Sequence, residues 1–225
     1  MTRLYQAAAD AVARAARPLL LSGDCTTALG AVTGLQRRHG DLAVVWLDGH
    51  GDFNTPATTV TGYLGGMPLA MLTGRAPELI SDPLGLRPVA DSDVVLVDAR
   101  DLDPAEGDTL AASRIRRVPA EPAEIGTVLA GLGGKPVYLH IDVDIIDSGQ
   151  LPGLRVPADP GPGFTKIEDC LAVILTAVNA TAACIACTWL PGHICQQAAH
   201  EALTLLGRAL GSHLSWRAAH GTDST

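Results

Sequence analysis

Residues 43–56 read AVVWLDGHGDFNTP, and this stretch decides the fold. An apolar run at 43–47 passes directly into three charged or ionisable side chains that alternate with glycines. A short apolar run bounded by Gly and Asp is typical of a fully buried strand in a parallel sheet. Residues 137–144, VYLHIDVD, repeat the pattern, because a second apolar run also ends on acidic residues. Parallel sheets gather their functional groups at the carboxyl ends of strands, so both segments predict a site at that edge.

Similar apolar runs alternate along the chain with segments of helical periodicity. Strands are predicted at residues 18–22, 43–47, 94–98, 137–141 and 183–189. Helices are predicted at residues 5–16, 27–39, 68–72, 106–114, 122–132, 166–178 and 194–210. This alternation implies βαβ crossovers and therefore a three-layer α/β/α fold with a mainly parallel sheet.

No internal repeat or low-complexity linker divides the sequence, so we expect one domain over residues 1–225. Residues 151–163, rich in Pro and Gly, are predicted to form one long loop. The polar residues 218–225 are predicted to form a disordered tail.

The amino-acid composition limits the kinds of partner that this protein is expected to bind. The net charge of −8 argues against nucleic acid or an anionic membrane surface and suits a small cationic substrate. No apolar run approaches the ~20 residues that cross a bilayer, which indicates no membrane association. The five cysteines have no framework spacing and are typical of reduced thiols, so a cytoplasmic location is expected.

The two acidic segments predict a metal site. In an extended strand Asp48, His50 and Asp52 project to one face, and Asp142 and Asp144 repeat that spacing. Five such groups at one edge would repel each other unless a strong positive charge lies among them. Carboxylates with a minority of His favour divalent ions such as Mn²⁺, and two ions could share bridging carboxylates. The alternative is that each Asp only caps a turn after its strand.

The same segments resemble those of the arginase and agmatinase family, the ureohydrolases. DGHGDFNTP at residues 48–56 resembles the family's DAHAD-N-TP block, and HIDVDIID at 140–147 resembles its S-x-D-x-D-x-x-D block. SGDCT at 22–26 lies where the family has GGDHS, and VDARDLDPAE at 97–106 resembles its G-x-R-D-x-D-x-x-E segment. The resemblance spans roughly residues 20–210 and implies an arginase-like fold.

The resemblance also implies a ligand set for two Mn²⁺ ions. The implied ligands are Cys25, Asp48, His50, Asp52, Asp142 and Asp144. By this correspondence Asp48 and Asp142 bridge the ions, His50 and Asp144 serve one, and the remaining two residues serve the other. A metal-bridging hydroxide would attack the carbon of a guanidine or amidine group, and Asp52 would pass a proton to the leaving amine.

The family's substrate contacts can be carried over as well. They imply that Asn54, Thr59 and Thr61 contact an α-carboxylate, and that Asp103 and Glu106 hold an α-amino group. The expected substrate is a small molecule with an amino-acid tail. The alternative for the first segment is that Asn54 only begins a turn, since Asn-Thr-Pro is typical of one.

Three residues depart from the family pattern. Cys25 replaces a ligating His; a softer thiolate would make Zn²⁺, Fe²⁺ or Co²⁺ possible, although a buried apolar thiol is the alternative. Gly65 replaces the His that is thought to relay protons, and Thr188 lies where a Glu normally pairs with the guanidinium in the substrate-binding site. His193 could supply the missing acid, or it is a solvated loop residue.

These departures resemble a branch of the family that hydrolyses Nω-hydroxy-L-arginine. A hydroxyguanidine has a lower pKa than guanidine and needs less counter-charge and less proton relay. The competing hypotheses are a metal-binding pseudoenzyme and a hydrolase of a different amidine or amide. Only 24 residues precede Cys25, fewer than the family usually has, so we expect a first strand that is missing or supplied by a partner chain, and an exposed edge that favours a homo-oligomer.

Overall fold

Six parallel strands form the central sheet of the computed structural model, which describes residues 2–186, 188–190, 200, 203, 204, 206–208 and 210. The strand order is β1-β6-β5-β2-β3-β4, and every neighbouring pair is parallel. The strands are β1 Leu19–Ser22, β2 Ala43–His50, β3 Val94–Asp101, β4 Arg116–Val118, β5 Pro136–Asp142 and β6 Asn179–Ala186. The helices are α1 Thr2–Arg14, α2 Thr27–His39, α3 Pro68–Leu72, α4 Ser81–Leu84, α5 Pro104–Ala111, α6 Pro122–Leu129 and α7 Phe164–Ala177.

Side-chain alternation along β2 divides the core into two layers. Val45 and Leu47 pack toward α6 and α7, whereas Val44 and Trp46 pack toward α2 and α3. Both faces of β2 are buried, which explains its nearly continuous apolar sequence. The α/β class with a parallel sheet between helical layers is therefore confirmed. Within the described part of the chain, no helix has the length and apolar character required to cross a membrane.

Helices α1 and α2 approach so closely that two glycines of α2 face the backbone of α1. A Cβ built on Gly30 would lie 2.5 Å from the carbonyl oxygen of Tyr5, and one on Gly34 would collide with the carbonyl oxygen of Ala9. Helix α2 begins at Thr27, two residues after Cys25, and packs along α1 through this contact. Gly30 and Gly34 therefore matter because they lack a side chain, which lets the two helices approach closely.

Most sequence-predicted elements are confirmed, and the errors have local causes. The helices predicted at 27–39 and 68–72 have the observed bounds. Strand β4 was missed because its sequence, Arg-Arg-Val, is that of a short edge strand, and α4 is a single short turn. The last strand begins at Asn179 rather than at residue 183, because pairing with β5 overrides the weak strand propensity of alanine.

Two predictions fall largely or wholly outside the described residues. The helix at 194–210 is described only at residues 200, 203, 204, 206–208 and 210, and the tail at 218–225 is not described. The single-domain organisation over 1–225 stays a prediction.

The close approach of α1 and α2 can be tested by adding one methyl group. Gly34→Ala should lower the free energy of unfolding by about 1–3 kcal/mol, because backbone atoms cannot swing aside and the helices must separate. The matched control is Gly107→Ala in α5, where the nearest atom is 3.8 Å away and the change should be neutral or stabilising by up to about 1 kcal/mol. Urea denaturation measures both. Equal effects at the two positions would contradict the packing argument.

Candidate metal centre

The predicted acidic residues meet at the point in the sheet where the strand order reverses. From β2 the chain proceeds to β3 and β4 on one side, and β5 and β6 lie on the other. Strands β2 and β5 are direct neighbours, with Leu47 opposite Ile141, so Asp48 and Asp142 follow at the same edge. The loop after β1 brings Cys25 to this edge. Such switch points are the usual ligand sites of parallel sheets.

The residues converge, but not by the extended geometry that the sequence suggested. The pairing of β2 with β3 shifts register between Asp48 and His50, and Asp52 has a φ of 48°, in the left-handed region. Strand β5 ends at Asp142, and Asp144 lies in a 3-10 turn whose backbone N–H donates to the Asp142 carboxylate at 3.0 Å. The expectation that both segments stay extended through Asp52 and Asp144 is therefore wrong, and turns bring these two residues into the site.

Six residues form a group that we call the acidic cluster. They are Cys25, Asp48, His50, Asp52, Asp142 and Asp144. Two triads within it have ligand atoms within 4.8 Å of one another. Cys25, Asp48 and Asp52 form the first triad, and Asp48, His50 and Asp144 form the second. Asp48 is common to both, which is the arrangement that two neighbouring ions sharing one carboxylate require.

Asp142 lies against the first triad. The Cys25 thiol donates to its Oδ2 at 2.8 Å, and the same sulfur lies 4.0 Å from Asp48 Oδ2. The second triad is also closely packed, since His50 Nδ1 lies 3.0 Å from Asp144 Oδ2. All six predicted ligands therefore lie together at one edge of the sheet.

The electrostatics of the acidic cluster are those of a site that lacks positive charge. Burial, and then the nearby charge of Asp48, raise the pKa of Asp52 well above its usual value and that of Asp144 to about 7. Burial and Asp142 raise the pKa of the Cys25 thiol. Although burial opposes it, hydrogen bonds with Asp144 and Asp48 raise the pKa of His50 to about 12. One imidazole cannot neutralise four carboxylates, so a divalent cation fits this group.

Two unpaired atoms support the same fit. Among the described residues, the buried atoms His50 Nε2 and Asp52 Oδ2 have no hydrogen-bond partner. Buried polar atoms are almost always partnered, so each of these is available to a ligand. The donor set of carboxylates, one imidazole and one thiol matches the chemistry of borderline divalent ions.

A buried aromatic pair supports Asp48 from behind. The Trp46 indole N–H donates to Asp48 Oδ2 at 3.0 Å, and His140 stacks on Trp46 with ring centroids 3.6 Å apart. Burial lowers the pKa of His140 to about 3, so its ring stays neutral. His140 belongs to neither triad and packs behind a ligand.

Five members of the acidic cluster, all except the fully buried Asp48, line a cavity of about 210 Å³. All six residues assigned to substrate binding line it: Asn54, Thr59, Thr61, Asp103, Glu106 and Thr188. Glu106 is committed to the backbone, because its two carboxylate oxygens accept from the N–H groups of Phe53 at 2.8 Å and Asp103 at 3.1 Å. Asp103 in turn accepts from Asn54 Nδ2 at 3.0 Å, which joins the two predicted binding segments.

Sequence reasoning missed four lining residues, Tyr63, Gly66, Asp101 and Val156. A signal existed for Tyr63, which stands two residues before the glycine that replaces the family's histidine. His193, proposed as a substitute acid, lies outside the described residues.

Known proteins resemble this chain over the part that contains the acidic cluster. The model of the Arginase family matches residues 1–185. The chain is 36% identical over 152 residues to an N(omega)-hydroxy-L-arginine amidinohydrolase from Streptomyces lavendulae, covering 68% of this chain and 54% of that protein. It is 35% identical over 162 residues to Arginase-1 from Sus scrofa, covering 66% of this chain and 50% of that one. The chain thus spans about half the length of these curated relatives.

Solved structures of arginases also resemble this chain. An arginase from Bacillus cereus superposes with a TM-score of 0.84 at 26% identity, covering 93% of this chain and 76% of that one. An arginase from Bacillus caldovelox also superposes with a TM-score of 0.84, at 27% identity, covering 93% and 74%.

Asp52→Asn should stabilise the metal-free protein and reduce the stabilisation that Mn²⁺ provides. Without divalent ions it should raise the free energy of unfolding by roughly 1–3 kcal/mol, because a repelled buried charge is replaced by a neutral amide. Asn also tolerates the left-handed φ of this position. With Mn²⁺ added, the wild type should gain stability and the variant should gain less.

The pH dependence follows from the direction of the pKa shift. A carboxyl whose pKa is raised by folding costs stability above its unfolded pKa, so the advantage of Asp52→Asn should grow as pH rises above about 4. Thermal unfolding across pH measures this, with the exposed Asp108→Asn as control. If Asp52→Asn and the control respond alike to Mn²⁺, Asp52 is not a ligand.

A spectroscopic test addresses Cys25. Titration with Co²⁺ should produce a thiolate-to-cobalt charge-transfer band in the near ultraviolet, because a bound ion draws the buried thiol into its thiolate form. Cys25→Ser should lose the band. Cys170→Ser, also buried and free but remote in the other core layer, should retain it. A band that survives in Cys25→Ser would exclude sulfur ligation at this position.

Proposed function

The chain belongs to the arginase family, and from this premise we propose that it hydrolyses a linear C–N bond in a guanidino or hydroxyguanidino amino acid. The observation that carries the proposal is the pair of triads that share Asp48 and whose other four members line a cavity. Elsewhere on that cavity lie hydroxyl, amide and carboxylate groups suited to an amino-acid tail.

Two divalent ions, proposed to be Mn²⁺, would be held by the acidic cluster. Asp48 would serve both ions, with Cys25 and Asp52 on one side and His50 and Asp144 on the other. Asp142, in contact with Cys25, would be the second shared ligand. When bound, the ions would lower the pKa of a water between them enough to provide a nucleophile near neutral pH. The thiolate makes Zn²⁺, Fe²⁺ or Co²⁺ alternative occupants.

The chain's own residues would orient the substrate and carry the proton. Asn54, Thr59 and Thr61 supply neutral hydrogen-bonding groups for an α-carboxylate. Asp103 supplies negative charge for an α-amino group, and Glu106 positions Asp103 by accepting its backbone N–H. Asp52 Oδ2, buried and without a hydrogen-bond partner among the described residues, is free to hold the proton that the leaving amine needs.

The uncharged residues Gly65 and Thr188 favour a hydroxyguanidine over a guanidine within this class. A guanidinium that enters a cavity without a dedicated counter-charge must lose hydration that no ion pair replaces. A hydroxyguanidine is more easily neutral and avoids this cost. Nω-hydroxy-L-arginine is therefore the substrate we propose first. A cytoplasmic location and a homo-oligomeric assembly stay predictions from the sequence.

The proposal is tested by turnover with metal-loaded protein. Incubation with Mn²⁺ and Nω-hydroxy-L-arginine should release ornithine and hydroxyurea, because water adds to the guanidine carbon and the bond to the ornithine nitrogen breaks. Mass spectrometry measures both products. Asp48→Asn should lower the rate of product release by at least about a hundredfold, since it removes the carboxylate shared by both triads. Asp108→Asn, on the exposed face of α5, should leave the rate unchanged.

A panel of L-arginine, other amidines and amides separates the alternatives. Turnover of a different panel member would assign a different amidine or amide as substrate. If the metal-loaded wild type hydrolyses no member, the chain is a metal-binding pseudoenzyme.

A further inference from the structure

The aromatic ring of Tyr63 fills the space in front of Gly65. A Cβ built on Gly65 would collide with the ring carbons of Tyr63 and lie 2.6 Å from its hydroxyl oxygen. Gly65 is buried, Tyr63 is half-buried, and both line the cavity above the acidic cluster. The side chain that the family's histidine would supply and the Tyr63 ring therefore exclude each other.

The Tyr63 hydroxyl is fixed by the second departure from the family pattern. Its oxygen lies 3.3 Å from Thr188 Oγ1, and Thr188 donates its own hydroxyl proton to the carbonyl oxygen of Gly23 at 2.9 Å. A hydroxyl has one proton, so Thr188 can only accept from Tyr63. The Tyr63 oxygen consequently turns its lone pairs away from Thr188 and remains an acceptor.

Charges of both signs lie near this phenol, with the Asp24 carboxylate on one side of the balance and the Arg155 guanidinium on the other. Burial raises the pKa of Tyr63 above its usual value, so the group stays un-ionised at neutral pH. The guanidinium carbon of Arg155 lies 5.6 Å from the centre of the Tyr63 ring, and the Arg155 backbone N–H donates to the Thr188 carbonyl oxygen at 2.9 Å. The un-ionised phenol oxygen can therefore accept a hydrogen bond from a neutral donor.

We propose that Tyr63 is a specificity-determining residue whose hydroxyl oxygen, held by Thr188, accepts a hydrogen bond from the N-hydroxyl group of a neutral hydroxyguanidine. This inference rests on the proposed function and adds the group that recognises the substrate's distinguishing atom. A site built to bond a hydroxyl rejects the analogue that lacks it, since the site's polar group is then left unpaired.

Tyr63→Phe tests the contact because it removes only the hydroxyl and keeps the ring. With Mn²⁺-loaded enzyme, kcat/KM for Nω-hydroxy-L-arginine should fall by about tenfold to a hundredfold, as expected for one lost hydrogen bond in a desolvated site. The inhibition constant of L-arginine, which lacks the N-hydroxyl, should change by less than about threefold. The matched control is Tyr5→Phe, whose hydroxyl bonds Thr26 at 2.7 Å and does not line the cavity. It should leave both constants unchanged.

Gly65→Ala is a second variant that should lower kcat/KM for Nω-hydroxy-L-arginine. Its methyl group must displace the Tyr63 ring, because the contact is with the movable end of a side chain. The double variant Tyr63→Phe/Gly65→Ala should therefore be no more than about twofold worse than the poorer single variant. Additive losses would show that the two residues do not act at the same place.

The outcomes separate this inference from the function on which it rests. If wild-type enzyme hydrolyses Nω-hydroxy-L-arginine, and Tyr63→Phe either leaves kcat/KM unchanged or weakens L-arginine equally, the role of Tyr63 is overturned and the proposed function stands. If the wild type prefers L-arginine, the family reaction stands and this inference is again overturned. If neither compound is hydrolysed, both the function and the inference fail.

Discussion

Mutual repulsion among buried carboxylates is the constraint on which the rest of this structure depends. Asp48, Asp52 and Asp142 are almost fully removed from water, and burial, then neighbouring charge, raises the pKa of Asp52 and Asp142 well above the usual value. Only Asp48 has its pKa lowered, because His50 and the Trp46 indole offset its burial. A fold that holds acids in this way is least stable when the site holds no cation. Stability and cation binding are therefore coupled through the same side chains.

The sheet supplies the rigidity that this repulsion demands. Trp46 and Asp48 share one face of β2, and His140 and Asp142 share the same face of β5, so the stacked rings lie directly behind the ligands. Gly49 lets the chain pass close to its neighbours, since a Cβ there would meet Ala158 at 2.7 Å. The carboxylates are thus held together by packing that does not itself depend on charge.

The sequence predicted the members of the acidic cluster better than it predicted their geometry. Asp48 and Asp142 follow strands whose apolar runs are plain, and their convergence follows from the parallel pairing of β2 and β5. Asp52 and Asp144 were also placed in the site, but by strand alternation, whereas a left-handed residue and a 3-10 turn bring them there. Tyr63 was missed because where its ring lies depends on the short turn at Leu64–Gly66 and on its rotamer, and neither has a period that a sequence reveals.

The departures from the family pattern form one connected structure. Tyr63 occupies the room left at Gly65, bonds Thr188, and through it reaches Gly23, two residues before Cys25. A histidine at 65 would meet Tyr63, and a longer side chain at 188 would displace the hydroxyl that anchors both Tyr63 and the Gly23 carbonyl. Residues in contact do not contribute independently, so restoring one family residue disturbs the partners of the others. Reversion toward an arginase-like cavity would therefore require Tyr63, Gly65 and Thr188 to change together.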